Sequence, residues 1–170
     1  VGNVASNTGG GAVRGHHLNS TIVSNRAVSA NAGIWTGTSD SSVTNCIVVE
    51  NYRLSGALAN WSGTAPFDHS CTIPLPAGST ASFTNDPAFV DTADGNYRLA
   101  KESPCMDAGA DGDWMTTAAD LDGNPRLIGA SADMGCYERS PTLYVAPNGG
   151  KVRPYGNWAH AANNIQDALN

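Results

Sequence analysis

Val1-Gly2-Asn3, Val23-Ser24-Asn25 and Val49-Glu50-Asn51 write the same short phrase three times. Around the first two copies the likeness extends, because Gly11-Ala12-Val13 recurs as Gly33-Ile34-Trp35. Residues 3 and 25, and residues 11 and 33, both stand 22 apart. Asn19-Ser20-Thr21-Ile22-Val23 then returns as Asn45-Cys46-Ile47-Val48-Val49, at a spacing of 26. The four extra residues fit the polar stretch from Thr36 to Ser42, where a turn lengthens without disturbing its neighbours. Short β-branched runs between Gly, Ser and Asn, repeated at this period, predict a solenoid in which each repeat is one coil and strands stack in parallel on the next. No apolar period of helical length competes with this reading over residues 1–52. Asn recurring at a corner fits the same picture: stacked side-chain amides hydrogen-bond one another, and Asn tolerates a left-handed turn. The alternative is three hairpin strands in an antiparallel sandwich.

Composition narrows the class. The chain of 170 residues is long enough for a real core, with 41% hydrophobic and 14% charged residues and 19 glycines. Disorder is a poor fit to that hydrophobic content. A net charge of −6 argues against a nucleic-acid partner, which needs a basic face, and against docking on anionic lipid. No apolar run reaches the length of a membrane span, so no membrane insertion is expected within this segment.

Cys46, Cys71, Cys105 and Cys136 are widely spaced, without a CxxC pair that would mark a metal knuckle or redox site. An even count allows three pairings, and the sequence does not choose among them. The pairing taken forward is a Cys71–Cys105 disulfide, with Cys46 and Cys136 buried as small hydrophobes. Such a bond implies an oxidising, extracellular setting.

Three regions follow. Residues 1–52 are parallel β-helix coils. Residues 53–138 are a terminal region with irregular loops: from Tyr52 to Pro87 the period breaks down, and then come short strands punctuated by turns such as Asp94-Gly95 and Asn124-Pro125. Residues 139–170 open on Leu143-Tyr144-Val145-Ala146-Pro147-Asn148-Gly149-Gly150, a strand and turn. Asn157 then caps a short amphipathic helix with Trp158, Ala161, Ala162, Ile165 and Leu169 on one face.

The succession Asn85-Asp86-Pro87-Ala88-Phe89-Val90-Asp91, Gly95-Asn96-Tyr97-Arg98-Leu99, Ser103-Pro104-Cys105-Met106-Asp107-Ala108-Gly109, Asp120-Leu121-Asp122-Gly123-Asn124-Pro125-Arg126 and Asp133-Met134-Gly135-Cys136-Tyr137-Glu138 resembles the C-terminal end of bacterial secreted right-handed parallel β-helix surface proteins. The last two phrases are its most specific part, and the likeness covers roughly residues 1–138. The tail after Arg139 resembles the start of a further β-helix unit of the same family. The resemblance implies an all-β fold, a right-handed parallel β-helix with irregular C-terminal strands and one short C-terminal helix. It fixes fold far better than activity. On this reading the chain begins in mid-coil and ends where another such domain would begin.

An open β-helix end exposes unpaired strand edges and apolar core. The expected occupant is another copy, docking its terminal strand and helix head-to-tail on the first coil through Val1, Val4 and Val13 on one side and Leu143, Tyr144, Val145, Trp158, Ile165 and Leu169 on the other. A heterologous contact of this kind grows into a fibre unless it closes a ring. The competing expectation is a piece of a tandem surface array, or the helix folding back on its own first coil.

Other candidates carry weaker signals. His16 and His17, with Arg14, Arg26 and Asp40 near them, are candidates for a polysaccharide groove, and Trp35 and Trp61 for sugar-stacking platforms. Adjacent His in an exposed turn is the plainer explanation. Asp111, Asp113, Asp120 and Asp122 resemble fragments of calcium loops without the full twelve-residue pattern, and Asx turns account for the same residues. No cofactor is expected beyond that candidate structural calcium. Arg126 with Asp133 or Glu138 reads as an ion pair closing the terminal fold. The sequence therefore points to an extracellular or cell-surface structural and adhesive module. Its alternatives are a polysaccharide lyase or glycosidase fragment and a non-catalytic carbohydrate-binding module; no catalytic residue is assigned.

Overall fold

The computed structural model describes residues 1–7, 9–28, 31–37, 40–139, 143–152, 155 and 158–169, with 168 and 169 described by their backbone alone. The β-branched runs form three successive layers of four short strands. The first holds β1 (Val4–Ala5), β2 (Ala12–Val13), β3 (His16–Leu18) and β4 (Thr21–Val23). The second holds β5 (Arg26–Ala27), β6 (Ile34–Trp35), β7 (Ser42–Thr44) and β8 (Ile47–Val49). The third holds β9 (Tyr52–Arg53), β10 (Trp61–Ser62), β11 (Phe67–Asp68) and β12 (Cys71–Thr72). Four parallel sheets cross the layers in the orders β1-β5-β9, β2-β6-β10, β3-β7-β11 and β4-β8-β12. The antiparallel sandwich is thereby excluded for this region.

The register is the one the repeats spell out. Ala12 lies opposite Ile34 and Val13 opposite Trp35, whereas His16 lies opposite Ser42 and Thr21 opposite Ile47. The spacing thus changes from 22 to 26 between Trp35 and Ser42, where the longer turn was expected. The layers continue further than the phrases do, which corrects the reading of residues 52–87 as irregular. Phe67 pairs with Val43 and Cys71 with Ile47, and two bridges, Asp68 to Thr80 and Cys71 to Phe83, start another parallel layer.

Two corners use polar residues differently. At the first, Asn3 Nδ2 donates to Asn25 Oδ1 at 3.0 Å, Asn25 Nδ2 to Asn51 Oδ1 at 2.8 Å, and Asn51 Nδ2 to Asn60 Oδ1 at 3.2 Å. The backbone amides of Asn3, Asn25 and Asn51 donate into the same ladder. The left-handed residue here is the middle one of each phrase, Gly2, Ser24 or Glu50, with φ of 67°, 59° and 54°. At the second corner Asn19, Asn45, His69 and Ala81 are themselves left-handed, with φ between 42° and 52°. The next residue supplies a hydroxyl rung: Ser70 Oγ accepts from Cys46 N and Ser82 Oγ from Ser70 N, both at 3.0 Å. Because these amides are paired with one another, burying them avoids the penalty of an unsatisfied polar group.

Side chains alternate across each strand, so two apolar cores form. Ile22, Ile34, Val43, Cys46, Val48 and Phe67 fill the space between the second, third and fourth sheets. Alanines 27, 32 and 59 line the first sheet, where little room is left. Gly33 shows how little, since a Cβ there would collide with the Asn60 carbonyl. The opposite face of the fourth sheet, Val23, Ile47, Val49 and Cys71, packs against Leu99, Cys105 and Met134. Residues 89–139 therefore form a cover on that flank, which is why all of β8 is buried. The cover opens with an antiparallel hairpin, β13 (Phe89–Asp91) and β14 (Asn96–Leu99), turning at Asp94-Gly95.

The C-terminal segment differs from expectation. Its helix, α1 (Ile165–Leu169), has five residues. Asn164 caps it by accepting from Asp167 N at 2.8 Å, while Asn157 lies outside the described residues. Ala161 and Ala162 are buried, but in extended backbone that bonds to Tyr144, Ala146 and Lys151. Trp158 and Ile165 are 67% and 68% exposed. The single amphipathic face is thus corrected: main-chain pairing with 144–152 holds residues 158–162 out of the helix.

Candidate functional site

Three polar clusters hold the cover in place. Asp120 Oδ1 accepts from Asp122 N and Asn124 N, and its Oδ2 accepts from Asn124 Nδ2 and Glu138 N, which makes Asp120-Leu121-Asp122-Gly123-Asn124 an Asx turn. Asp122 grips Arg98 with both oxygens at 2.5 Å, and the Arg98 guanidinium lies over the Tyr137 ring. Arg126, buried, donates from Nη2 to the carbonyls of Asp133 and Gly135 at 3.1 Å and pairs with Glu138 Oε1 at 2.9 Å. The ion pair read from the sequence is there, with Glu138 as the partner. One guanidinium faces two buried carboxyls. Burial first, and the charge of Asp133 second, push Glu138 up to about 9; burial pushes Asp133 up to about 6.

The second layer anchors the cover through Asn45, whose amide clasps the Ala110 backbone in two bonds: Nδ2 donates to the carbonyl at 2.8 Å and Oδ1 accepts from the amide at 2.7 Å. Asn19 occupies the equivalent corner of the first layer. Both polar atoms of its side chain are buried without a hydrogen-bond partner, and so is Nε2 of His17. Buried polar groups left unpaired each cost about 1–3 kcal/mol, so this corner lacks something its neighbour has.

The first layer is also the outer row of every sheet, since β1 to β4 each have one strand neighbour. Its outward positions are apolar, over two polar residues and one tryptophan in the layer beneath. Val4 stands over Arg26, Val13 over Trp35 and Leu18 over Thr44. Val4, Val13 and Leu18 are 68%, 50% and 48% exposed, and Val1 is exposed beside them. Along the edge of β4 runs a groove of about 330 Å³ between Thr21 and Ile22 on one side and Tyr97, Leu121 and Tyr137 on the other. At the far end of the stack the chain supplies its own contacts: Leu58 bridges Tyr52, Thr80 bridges Asp68 and Phe83 bridges Cys71.

The carbohydrate candidates are not brought together. His17 stands in the column of Val43 and Phe67 and faces the core, while His16, on the other face of β3, is exposed and bonded to Ser42 Oγ at 2.9 Å. Trp35 is covered by the Arg14 guanidinium at 4.8 Å. Trp61 packs on Phe67 and donates Nε1 to the Pro74 carbonyl at 2.6 Å. The calcium candidates are likewise apart in role. Asp111 accepts from Ala132 N, Asp113 begins a 3₁₀ turn, and Asp120 and Asp122 spend their oxygens as described. Among the described residues no group of three or more His, Cys, Asp and Glu gathers as a metal ion would require.

Of the self-assembly candidates, Val1, Val4 and Val13 share the first layer. Leu143, Tyr144 and Val145 are half-buried in the C-terminal segment, with Tyr144 edge-on to the exposed Trp158 and Val145 bridging Ala162. The Ile165 side chain is exposed, and that of Leu169 lies outside the described residues. Cys71 and Cys105 are free thiols in the same buried cluster. The sequence reading missed Leu18, Tyr97, Leu121, Tyr137 and the unpaired Asn19. Leu18 and Asn19 were within reach, because aligning Leu18-Asn19 with Thr44-Asn45 exposes an apolar outward position in the first repeat.

Compared with protein-family models, curated proteins and solved structures, the chain matches none. The class is defined by the structure itself: an all-β protein of stacked parallel sheets. Among the described residues no helix is long and apolar enough to cross a membrane.

Proposed function

We propose that this chain is a structural module of the right-handed parallel β-helix kind, working outside the cell or on its surface, which associates end to end with further copies of itself. The observation that carries this reading is the first layer, whose four free strand edges bear Val4, Val13 and Leu18 outward. A strand edge of this kind is a template for another strand. The occupant is a second copy, because a surface built as one layer of a repeating stack is best matched by another layer of the same register. The exposed Trp158 and Ile165, with the extended segment Leu143 to Val145, are the surface proposed to meet it.

Light scattering over a concentration series, with negative-stain imaging, tests the reading. The expected result is assembly that grows with concentration and is lost in Val13→Lys and Leu18→Glu, and weakened in Trp158→Glu. A chain that stays monomeric at all concentrations, or assemblies indifferent to Val13→Lys and Leu18→Glu, would overturn it.

A further inference from the structure

We infer that Cys71 and Cys105 are a disulfide-forming pair that fastens the third layer to its flank cover. Cys71 sits on β12, on the face of the fourth sheet turned to the cover, and Cys105 sits in the cover itself. Both are fully buried in one packed cluster, where the Cys71 thiol also donates to the Asn85 carbonyl at 3.1 Å. Each backbone is pinned where it stands. Cys71 N donates to the Cys46 carbonyl at 2.8 Å; Cys105 N donates to Ser103 Oγ at 3.2 Å, and the Cys105 carbonyl accepts from Met134 N at 2.9 Å. The other two cysteines lie elsewhere. Cys46 lies in the separate core between the sheets with Sγ on the Thr44 carbonyl at 3.2 Å, and Cys136 lies beside Thr21 at the first layer.

The oxidant is an external small-molecule disulfide. One cysteine thiolate attacks it, forming a mixed disulfide and releasing one small thiolate. The second cysteine then attacks the protein sulfur of that mixed disulfide and releases the other. Two thiols of the protein lose two protons and two electrons, and the reagent leaves as two thiols. The neighbouring Cys71 thiol first and burial second keep the Cys105 thiol protonated, so the exchange proceeds during folding or when the cover opens, and slowly in the closed state. This inference stands apart from end-to-end association.

Refolding with a mixture of oxidised and reduced glutathione, followed by alkylation in denaturant, intact mass and an unreduced peptide map, tests it. The expected product keeps Cys46 and Cys136 alkylated and yields one linked peptide pair joining Cys71 to Cys105. Reduction then lowers the thermal midpoint of the wild type and leaves that of the Cys71→Ser/Cys105→Ser double variant unmoved. Four alkylated cysteines after oxidative refolding, or a link joining any other pair, would overturn the inference; both readouts need only the wild-type chain.

Discussion

The layers and their cover are held by opposite means. In the layers the same contact recurs at the same place: Asn3, Asn25, Asn51 and Asn60 form one ladder, and Val43 and Phe67 one apolar column. Stability there is roughly a sum of repeated neighbour terms. Nothing recurs in the cover. It is fixed by single polar centres, each different: Arg126 among carbonyls and carboxyls, Asp120 gathering four donors, Asp122 on Arg98. A repeat tolerates variation in one rung, whereas a unique buried charge does not tolerate losing its partner.

That contrast makes Arg126→Ala the most damaging substitution expected. It strands the Asp133 carboxylate and takes the donor from Glu138 and from the Asp133 and Gly135 carbonyls in a dry site, at a cost of about 3–5 kcal/mol. Urea unfolding followed by near-ultraviolet circular dichroism measures it, and a loss below about 1 kcal/mol would mean that the cover does not depend on this centre. Asn51→Ala is expected to cost less, about 2–3 kcal/mol, because it leaves the Asn25 amides without their acceptor while the rest of the ladder persists. If Asn51→Ala proved worse than Arg126→Ala in the same titration, the comparison would be inverted.

A third effect is expected on pH dependence. Glu138 binds its proton more tightly folded, at about 9, than at its ordinary 4.5. Between those values the folded state therefore holds a proton that the unfolded state has released. The stability contributed by this group is full below about pH 4.5 and falls as pH rises toward 9. The thermal midpoint is expected to be higher near pH 5 than near pH 8.5, with Glu138→Gln flattening the difference; an unchanged slope in that variant would remove Glu138 from the account.

The same contrast explains what could be read from the sequence. Val-x-Asn and its 22- and 26-residue spacings placed the first two layers in register, because identical corners need the same residue types. The third layer was hidden. Phe67-Asp68-His69-Ser70-Cys71-Thr72 answers Val43-Thr44-Asn45-Cys46-Ile47-Val48 at a spacing of 24, yet the left-handed corner there is His, and the hydroxyl rung replaces Cys. The fourth rung of the Asn ladder, Asn60, arrives only 9 residues after Asn51, through a loop no period predicts. The cover's turns and its Arg126–Glu138 pair were legible from local chemistry, but not the flank it covers, since that contact joins segments tens of residues apart. In the C-terminal segment the helical spacing of Trp158, Ala161 and Ile165 misled because β pairing with 144–152 overrode it.

Register in solution decides the matter. Nuclear Overhauser contacts measured along β4 and β8 should join Thr21 to Ile47, Ile22 to Val48 and Val23 to Val49, with slowly exchanging side-chain amides on Asn25 and Asn51. Contacts joining Thr21 to Val49 and Val23 to Ile47 would mean antiparallel strands, and the stacked layers would be contradicted.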